Sequence, residues 1–314
     1  MATDRTYQTK IYREPGGDTL VVSSGGAIRV EPGGQISLIT PRKTVYYVDS
    51  VNGIDTNDGL SWASPLLTIA AAVALAVAGD VIFIFGSFSE AVTIAAAQTG
   101  LSIIGTGTGP HESQWTAAAD AVCLTINATD VLVENIRFNP PVFGSGIPAA
   151  ILLGGAHYTV IRRCRFQGKT GSYYAIYSPV CNSDNVEISD CEFIYLNTAT
   201  YGAAILGVEA GGLSYSAWKI LRNIFNSCVT AININGRVCL LEGNHICING
   251  INAAGAGAAV CTLGIDLSGT SSYGNKVHGN YLGGAYTNSL YKVGTSGDDW
   301  AGNFNIAGIT AANP

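Results

Sequence analysis

Between Val131 and Leu282 one short pattern returns six times, each copy closing on a large apolar residue: Phe138, Phe166, Phe193, Phe225, Ile246 and Leu282. The closing residues are 28, 27, 32, 21 and 36 positions apart. An irregular repeat in this range describes a stack. Each unit is too small to enclose a core and buries its face against its neighbours.

Five positions before each closing residue stand Val133, Ile161, Ile188, Ile220, Leu241 and Val277, all apolar. Two positions before stand Ile136, Cys164, Cys191, Asn223, Asn244 and Asn280. Between these columns lie mostly polar pairs, among them Glu134-Asn135, Arg162-Arg163 and Ser189-Asp190. A single strand keeps its inward side chains at even spacing. Here the inward set slips phase by one across the pair, which describes a strand, a sharp bend and a second strand. The Asn residues just past the bend suit an internal ladder, each amide bonding its counterpart one coil away, about 4.8 Å off.

A second element recurs out of step, centred on Ile151, Ile176, Ile205, Ile232, Ile265 and Leu290. Each coil therefore holds at least three short strands joined by loops rich in Gly, Ala and Ser. With this column inward, the preceding residues (Ala150, Ala175, Ala204, Ala231, Gly264, Ser289) and the following ones (Leu152, Tyr177, Leu206, Asn233, Asp266, Tyr291) are expected to face out. Such an apolar outer face needs cover, by a loop of the same chain or by sister subunits of a homotrimer. Heptads are absent, so helical solenoids do not fit.

The opening stretch adds a motif: Tyr46-Tyr47-Val48-Asp49, Asn52-Gly53, Asp55, Asn57-Asp58-Gly59, Ser64-Pro65, Thr68-Ile69, Gly79-Asp80-Val81-Ile82 and Glu90 to Ile94. With the repeat, it resembles the right-handed parallel β-helix family, the pectate-lyase-like superfamily, over roughly residues 44–308. The resemblance implies an all-β solenoid of about seven or eight coils, some 35–40 Å long. It also implies a capping helix before the first coils. That helix is expected at about 65–78, with Ser64 as its cap, Pro65 in the first turn and Gly79 at its end.

The helical run Leu66–Ala78 is the longest apolar run and too short to cross a bilayer, so no membrane partner is expected. The net charge of −6 carries no basic stripe, which argues against nucleic acid. The first residues show no apolar signal region, pointing to synthesis in a reducing cytoplasm. The eight cysteines include no C-x-x-C pair and mostly fall at inward positions, so they read as reduced core thiols, with a disulfide network as the alternative.

Residues 1–43 differ from the β-helix domain, 44–314. Leu20, Ile28 and Ile36 are eight apart, as are the Gly-Gly pairs Gly25-Gly26 and Gly33-Gly34. So short a strand-turn repeat cannot build a core alone and needs partners, such as the same segment of sister subunits. Gly-Gly strand repeats before a β-helix look like tailed-bacteriophage virion proteins. That resemblance implies an anchor to the major capsid protein or another virion protein.

No residue stands out as catalytic, cofactor-binding or metal-ligating. Glu134, Glu187, Asp190, Glu192, Glu242 and Asp266 occupy repeat positions, and a glycosidase needs two carboxylates at a set separation. Yet Arg163, Asp190 and Arg222 alternate in sign at the bend, and Arg165 precedes Glu192 by one coil, which describes a surface ion ladder. Asp55-Thr56-Asn57-Asp58-Gly59 lacks the downstream Glu of a calcium loop and reads as turn chemistry. The histidines, His111, His157, His245 and His278, are far apart. Tyr173, Tyr174, Tyr195, Tyr201, Tyr215 and Trp218 are candidates for stacking on sugar rings or for loop packing. The expected function is a non-enzymatic virion protein of a tailed phage, of the capsid-decoration or head-fibre type. The alternatives are a tail fibre or tailspike that binds a cell-surface glycan, with or without cleaving it, and a free lyase or hydrolase.

Overall fold

The bend between the first two strands of each coil rests on one residue in the left-handed region: Asn135, Arg163, Asp190 and Arg222 at φ 53–58°, then Gly243, Gly279 and Gly302 at 61–65°. A positive φ turns the chain within one residue, which is why the inward set slips phase there. The computed structural model describes residues 11–13, 20–22, 43–107, 113–116, 121–139, 149–168, 174–179, 183–194, 203–208, 215–226, 228–247, 261–283, 286–293 and 297–305.

Two units are distinguished, Met1–Pro41 and Arg42–Pro314. In the first, Ile11–Arg13 pairs antiparallel with Leu20–Val22. Leu20 was expected in a strand. The rest of the Gly-Gly repeat, including Ile28 and Ile36, lies outside the described residues.

The second unit is a right-handed parallel β-helix, the hand that parallel crossovers take. Its first sheet contains Val45–Asp49, Ser102–Gly105, Leu132–Glu134, Val160–Arg162 and their successors to Asp299–Ala301. The second sheet runs from Ser113–Thr116 to Phe304–Asn305, and the third from Val92–Ile94 to Tyr286–Lys292. The strand Val81–Ser89 serves both of the first two, pairing through Val81–Ile84 with the first and Gly86–Ser89 with the second. The expected register holds across the second sheet, where Phe138, Phe166, Phe193, Phe225, Ile246 and Leu282 follow one another. The column begins earlier than the repeat suggested, with Phe88 and Trp115. From Phe138 to Phe225 successive rings stack at 5.3, 4.9 and 4.7 Å, the last two pairs only 5° from parallel.

The Asn ladder is present and one member longer than expected. Each backbone N–H in the series Cys191, Asn223, Asn244 and Asn280 donates to the Oδ1 one coil on, ending at Asn303. A second polar ladder runs beside it. Cys239 N–H donates to Asn275 Oδ1, and Asn275 donates through N–H and Nδ2 to Asp298 Oδ1.

The helix, α1, is shorter than expected, Ile69–Leu75. Leu66 is drawn into a bridge with Val48, so the chain is still extended there and Thr68 becomes the N-cap, its hydroxyl accepting from Ala71 N–H. The Glu90 carboxylate accepts from Ile69 and Ala70 N–H, and Gln98 Nε2 donates to the carbonyls of Val73 and Ala76. Side chains from the first coil thus satisfy both ends of the helix. Among the described residues no helix is long and apolar enough to cross a membrane.

Two expectations about the third sheet fail. Ile265 pairs with Tyr291, not Leu290, after a register shift between Cys261 and Leu263. The alanines Ala150, Ala175, Ala204 and Ala231 are fully buried in the core alongside the isoleucines that follow them. The ladder passes from Ala149–Tyr174 directly to Ile151–Ile176. Strict alternation breaks at that skipped pair, two successive residues join the core, and the alanines form no outward face. Cys123, Cys164, Cys191, Cys228 and Cys239 are buried free thiols. Burial pushes Cys239 up to about 12, which removes the reactive thiolate.

Candidate functional site

Along the first sheet Val48, Ile82, Ile84, Ile103 and Val133 point inward, so the residues between them form the outer surface. One outward row runs through Tyr47, Phe83, Ile104, Glu134 and Arg162. Its N-terminal end is apolar and its other end is charged.

At the apolar end Trp62, from the loop after the first strand, lies 4.9 Å from the Tyr47 ring, and Phe83 lies 5.9 Å from it on the other strand. Phe85 sits one step along the same strand, abreast of Asp49. Trp62 is 46 % and Phe85 40 % exposed, so both rings keep an open face. Together with Thr106 and Gly107 they line a shallow depression of about 360 Å³. Its far wall is fixed because Thr106 donates through both N–H and Oγ1 to the Ile84 carbonyl. Open aromatic faces offer a stacking surface for flat, partly apolar rings such as sugars.

The charged stretch is an ion ladder, as the alternation of sign predicted. Glu134 accepts from Arg162 at 2.8 Å and Arg163 at 3.1 Å. Asp190 is held by a two-pronged contact from Arg222, both prongs 2.8 Å. Arg165 approaches Glu192 at 3.4 Å, and Lys292 approaches Asp266 at 3.4 Å. The Arg222 guanidinium keeps the Asp190 carboxyl below the usual carboxylate range, the opposite of what a general acid requires. Burial holds Glu90 above that range, against the pull of its two backbone donors, but both its oxygens cap α1.

In the Asp55 loop only Asp58 acts as the expected turn residue, while Asp55 and Asn57 tie the loop to the segment that leads into α1. Asp55 accepts from Leu67 and Thr68 N–H, Asp58 from Leu60 N–H, and Asn57 Nδ2 donates to the Pro65 carbonyl. Among the described residues no group of three or more potential ligands could hold a metal ion. Of the aromatics singled out in the sequence, Trp218 is fully buried and its indole N–H donates to the Ser183 carbonyl. Tyr174 is half-buried and stacks on Tyr177 at 5.1 Å. Tyr173, Tyr195, Tyr201 and the Tyr215 side chain lie outside the described residues, as does His111. The exposed rings at Trp62 and Phe85 were missed. The signal was there: Tyr47, Phe83 and Phe85 fall between the inward Val48, Ile82 and Ile84.

No protein-family model and no curated protein matches the chain. Solved structures do match. A lacto-N-biosidase from Eubacterium ramulus superposes with a TM-score of 0.60 at 14 % identity, over 83 % of this chain and 55 % of that one. The chain thus spans little more than half the length of that protein. An alginate lyase from a Paenibacillus species matches at 0.55 and 12 % identity, over 84 % of this chain and 95 % of that one. The Escherichia coli protein ybhc matches at 0.50 and 12 %, over 89 % and 90 %. At these identities the likeness concerns the backbone. The stacked parallel sheets, the capping helix and these likenesses identify the chain as a right-handed parallel β-helix of the pectate-lyase-like fold.

Proposed function

We propose that this β-helix is a carbohydrate-binding protein that holds a polysaccharide without cleaving it. The carrying observation is the half-exposed aromatic surface of Trp62 and Phe85, backed by Tyr47 and Phe83, at one end of the first sheet. The lacto-N-biosidase and the alginate lyase share the backbone and are named for activity on carbohydrates. The ion pairing of Glu134, Asp190 and Glu192 supports binding over hydrolysis. Titration calorimetry against a panel of soluble polysaccharides tests this. Trp62→Ala and Phe85→Ala should each weaken the best ligand by about tenfold. Polymer length should be unchanged after long incubation. Accumulating reducing ends or unsaturated uronates would make the protein a depolymerase.

The narrower assignment is to the virion of a tailed phage, made in the host cytoplasm. Residues 1–43 would serve as trimerising anchor on the major capsid protein or another virion protein. The eight-residue spacing of Leu20, Ile28 and Ile36 with its Gly-Gly pairs favours it. Under this assignment a capsid-decoration or head-fibre role is the second reading beside a tail-borne glycan receptor. A chain starting at Thr44 should fold but fail to bind particles; normal particle binding would remove the anchor.

A further inference from the structure

Across the second sheet an outward row passes coil by coil through Ser87, Gln114, Arg137, Arg165 and Glu192. Register places Arg137 abreast of Arg165 on the adjacent strand, about 4.8 Å along the stack. Like charges directly abreast repel. One carboxylate of the row answers them, and it lies beyond Arg165, with Glu192 Oε2 at 3.4 Å from Arg165 Nε.

Arg137 is different. It makes no hydrogen bond or ion pair among the described residues, and its Nε is shut away from solvent with no acceptor. A buried donor left unpaired is costly. The residue as a whole is only partly buried, so the end of the guanidinium stays accessible. Arg162, Arg163 and Arg222, by contrast, each reach a carboxylate at 2.8–3.1 Å. Burial, and then Arg165, pull the Arg137 pKa below the ordinary arginine value, yet a guanidinium keeps its charge in proteins. The flank is polar and uncharged: Asn139 Nδ2 donates to Thr116 Oγ1 at 3.0 Å.

The geometry points to an oxyanion site in which Arg137 and Arg165 together hold a carboxylate or sulfate group of a polysaccharide. The assignment rests on the carbohydrate-binding reading and adds that the polymer is acidic. One oxyanion between the two guanidiniums removes their repulsion. It also gives the accessible end of the Arg137 guanidinium an acceptor that the described residues do not supply.

The test uses the full chain with three probes: polygalacturonate for carboxylate, dextran sulfate for sulfate, and neutral dextran. Arg137→Gln should weaken binding of at least one anionic polymer by about tenfold or more. Arg137→Lys, which keeps the charge and loses the fork, should fall in between. The polymer that loses affinity identifies the anion. Without polymer, the thermal midpoint of Arg137→Gln should be no lower than wild type, because the substitution relieves a like-charge contact. Unchanged binding of both anionic polymers by Arg137→Gln overturns the site. So does a midpoint lowered in both variants, which would make Arg137 a packing residue. If neutral dextran binds and is lost in Trp62→Ala while Arg137→Gln binds every probe normally, the carbohydrate reading stands and the acidic site falls. If no probe binds the wild type, both fall together.

Discussion

Asn244 Oδ1 accepts two hydrogen bonds from a single neighbour, from Asn223 N–H at 3.0 Å and from Asn223 Nδ2 at 3.1 Å. The Nδ2 of Asn244 donates to the Ile220 carbonyl at 2.8 Å and to Asn280 Oδ1 at 2.9 Å. Both amides are fully buried. Each amide therefore completes the hydrogen bonding of the coils on either side. Asn244→Leu removes donor and acceptor at once and strands Asn223 N–H and the Ile220 carbonyl in the core. A loss of about 1–3 kcal/mol per stranded group is expected, read as a lower denaturant midpoint. An unchanged midpoint would contradict the ladder.

Thr159 shows the reverse case. It is fully buried, and its hydroxyl has no hydrogen-bond partner among the described residues. The pairing of successive coils makes it the counterpart of Val131 and Val186, both buried. Thr159→Val should therefore stabilise the protein by about 1 kcal/mol, since it replaces an unsatisfied polar group by one that the column already accommodates. A destabilised variant would mean that the hydroxyl is satisfied in solution.

What the sequence revealed and what it hid follow from the same geometry. Columns of like residues at the closing phenylalanines and the Asn positions are legible because stacked coils bring equivalent residues into contact, so chemistry repeats. The Cys239–Asn275–Asp298 ladder was not legible, because three different residue types share one function there. The helix was overextended because Ser64, Pro65 and the apolar run satisfy local rules, while the bridge between Leu66 and Val48 is a tertiary effect. Trp62 was passed over because a lone ring in a loop carries no periodicity.

The bend residues allow a clean measurement of backbone strain. Gly279 has φ +61°, and a Cβ added there would meet nothing within 4 Å. Gly279→Ala therefore tests conformation alone, without a clash. A loss of about 1 kcal/mol is expected from the left-handed φ. A loss several times larger would show that the site is crowded.

Asp190 and Arg222 set one pH dependence. Hydrogen bonding to Arg222 is the main cause of the lowered Asp190 pKa. A carboxyl whose folded pKa lies below its unfolded value contributes stability above the unfolded value and loses it as pH falls through the folded one. The pair is about half exposed, so the contribution is small and screened by salt. Asp190→Asn should be slightly less stable than wild type at neutral pH. The two should converge below the ordinary aspartate range, and the gap should narrow in high salt. A gap independent of pH would assign the effect to something other than this ion pair.

Substitution in the third sheet separates a core from a contact surface. Had the alanine column faced a sister subunit, Ala175→Arg with Ala204→Arg would give a folded monomer. Both alanines are instead fully buried and packed in the core of their own coil stack. An arginine at either place must bury an unpaired charge and force side chains apart, each a cost of several kcal/mol. The expected result is loss of the folded state, seen as loss of the cooperative thermal transition and as protease sensitivity, even for the single variant Ala175→Arg. Ala175→Gly, which removes one methyl group and adds no charge, should stay folded with a lowered midpoint. A stable, monodisperse Ala175→Arg protein would show that the column faces outward after all.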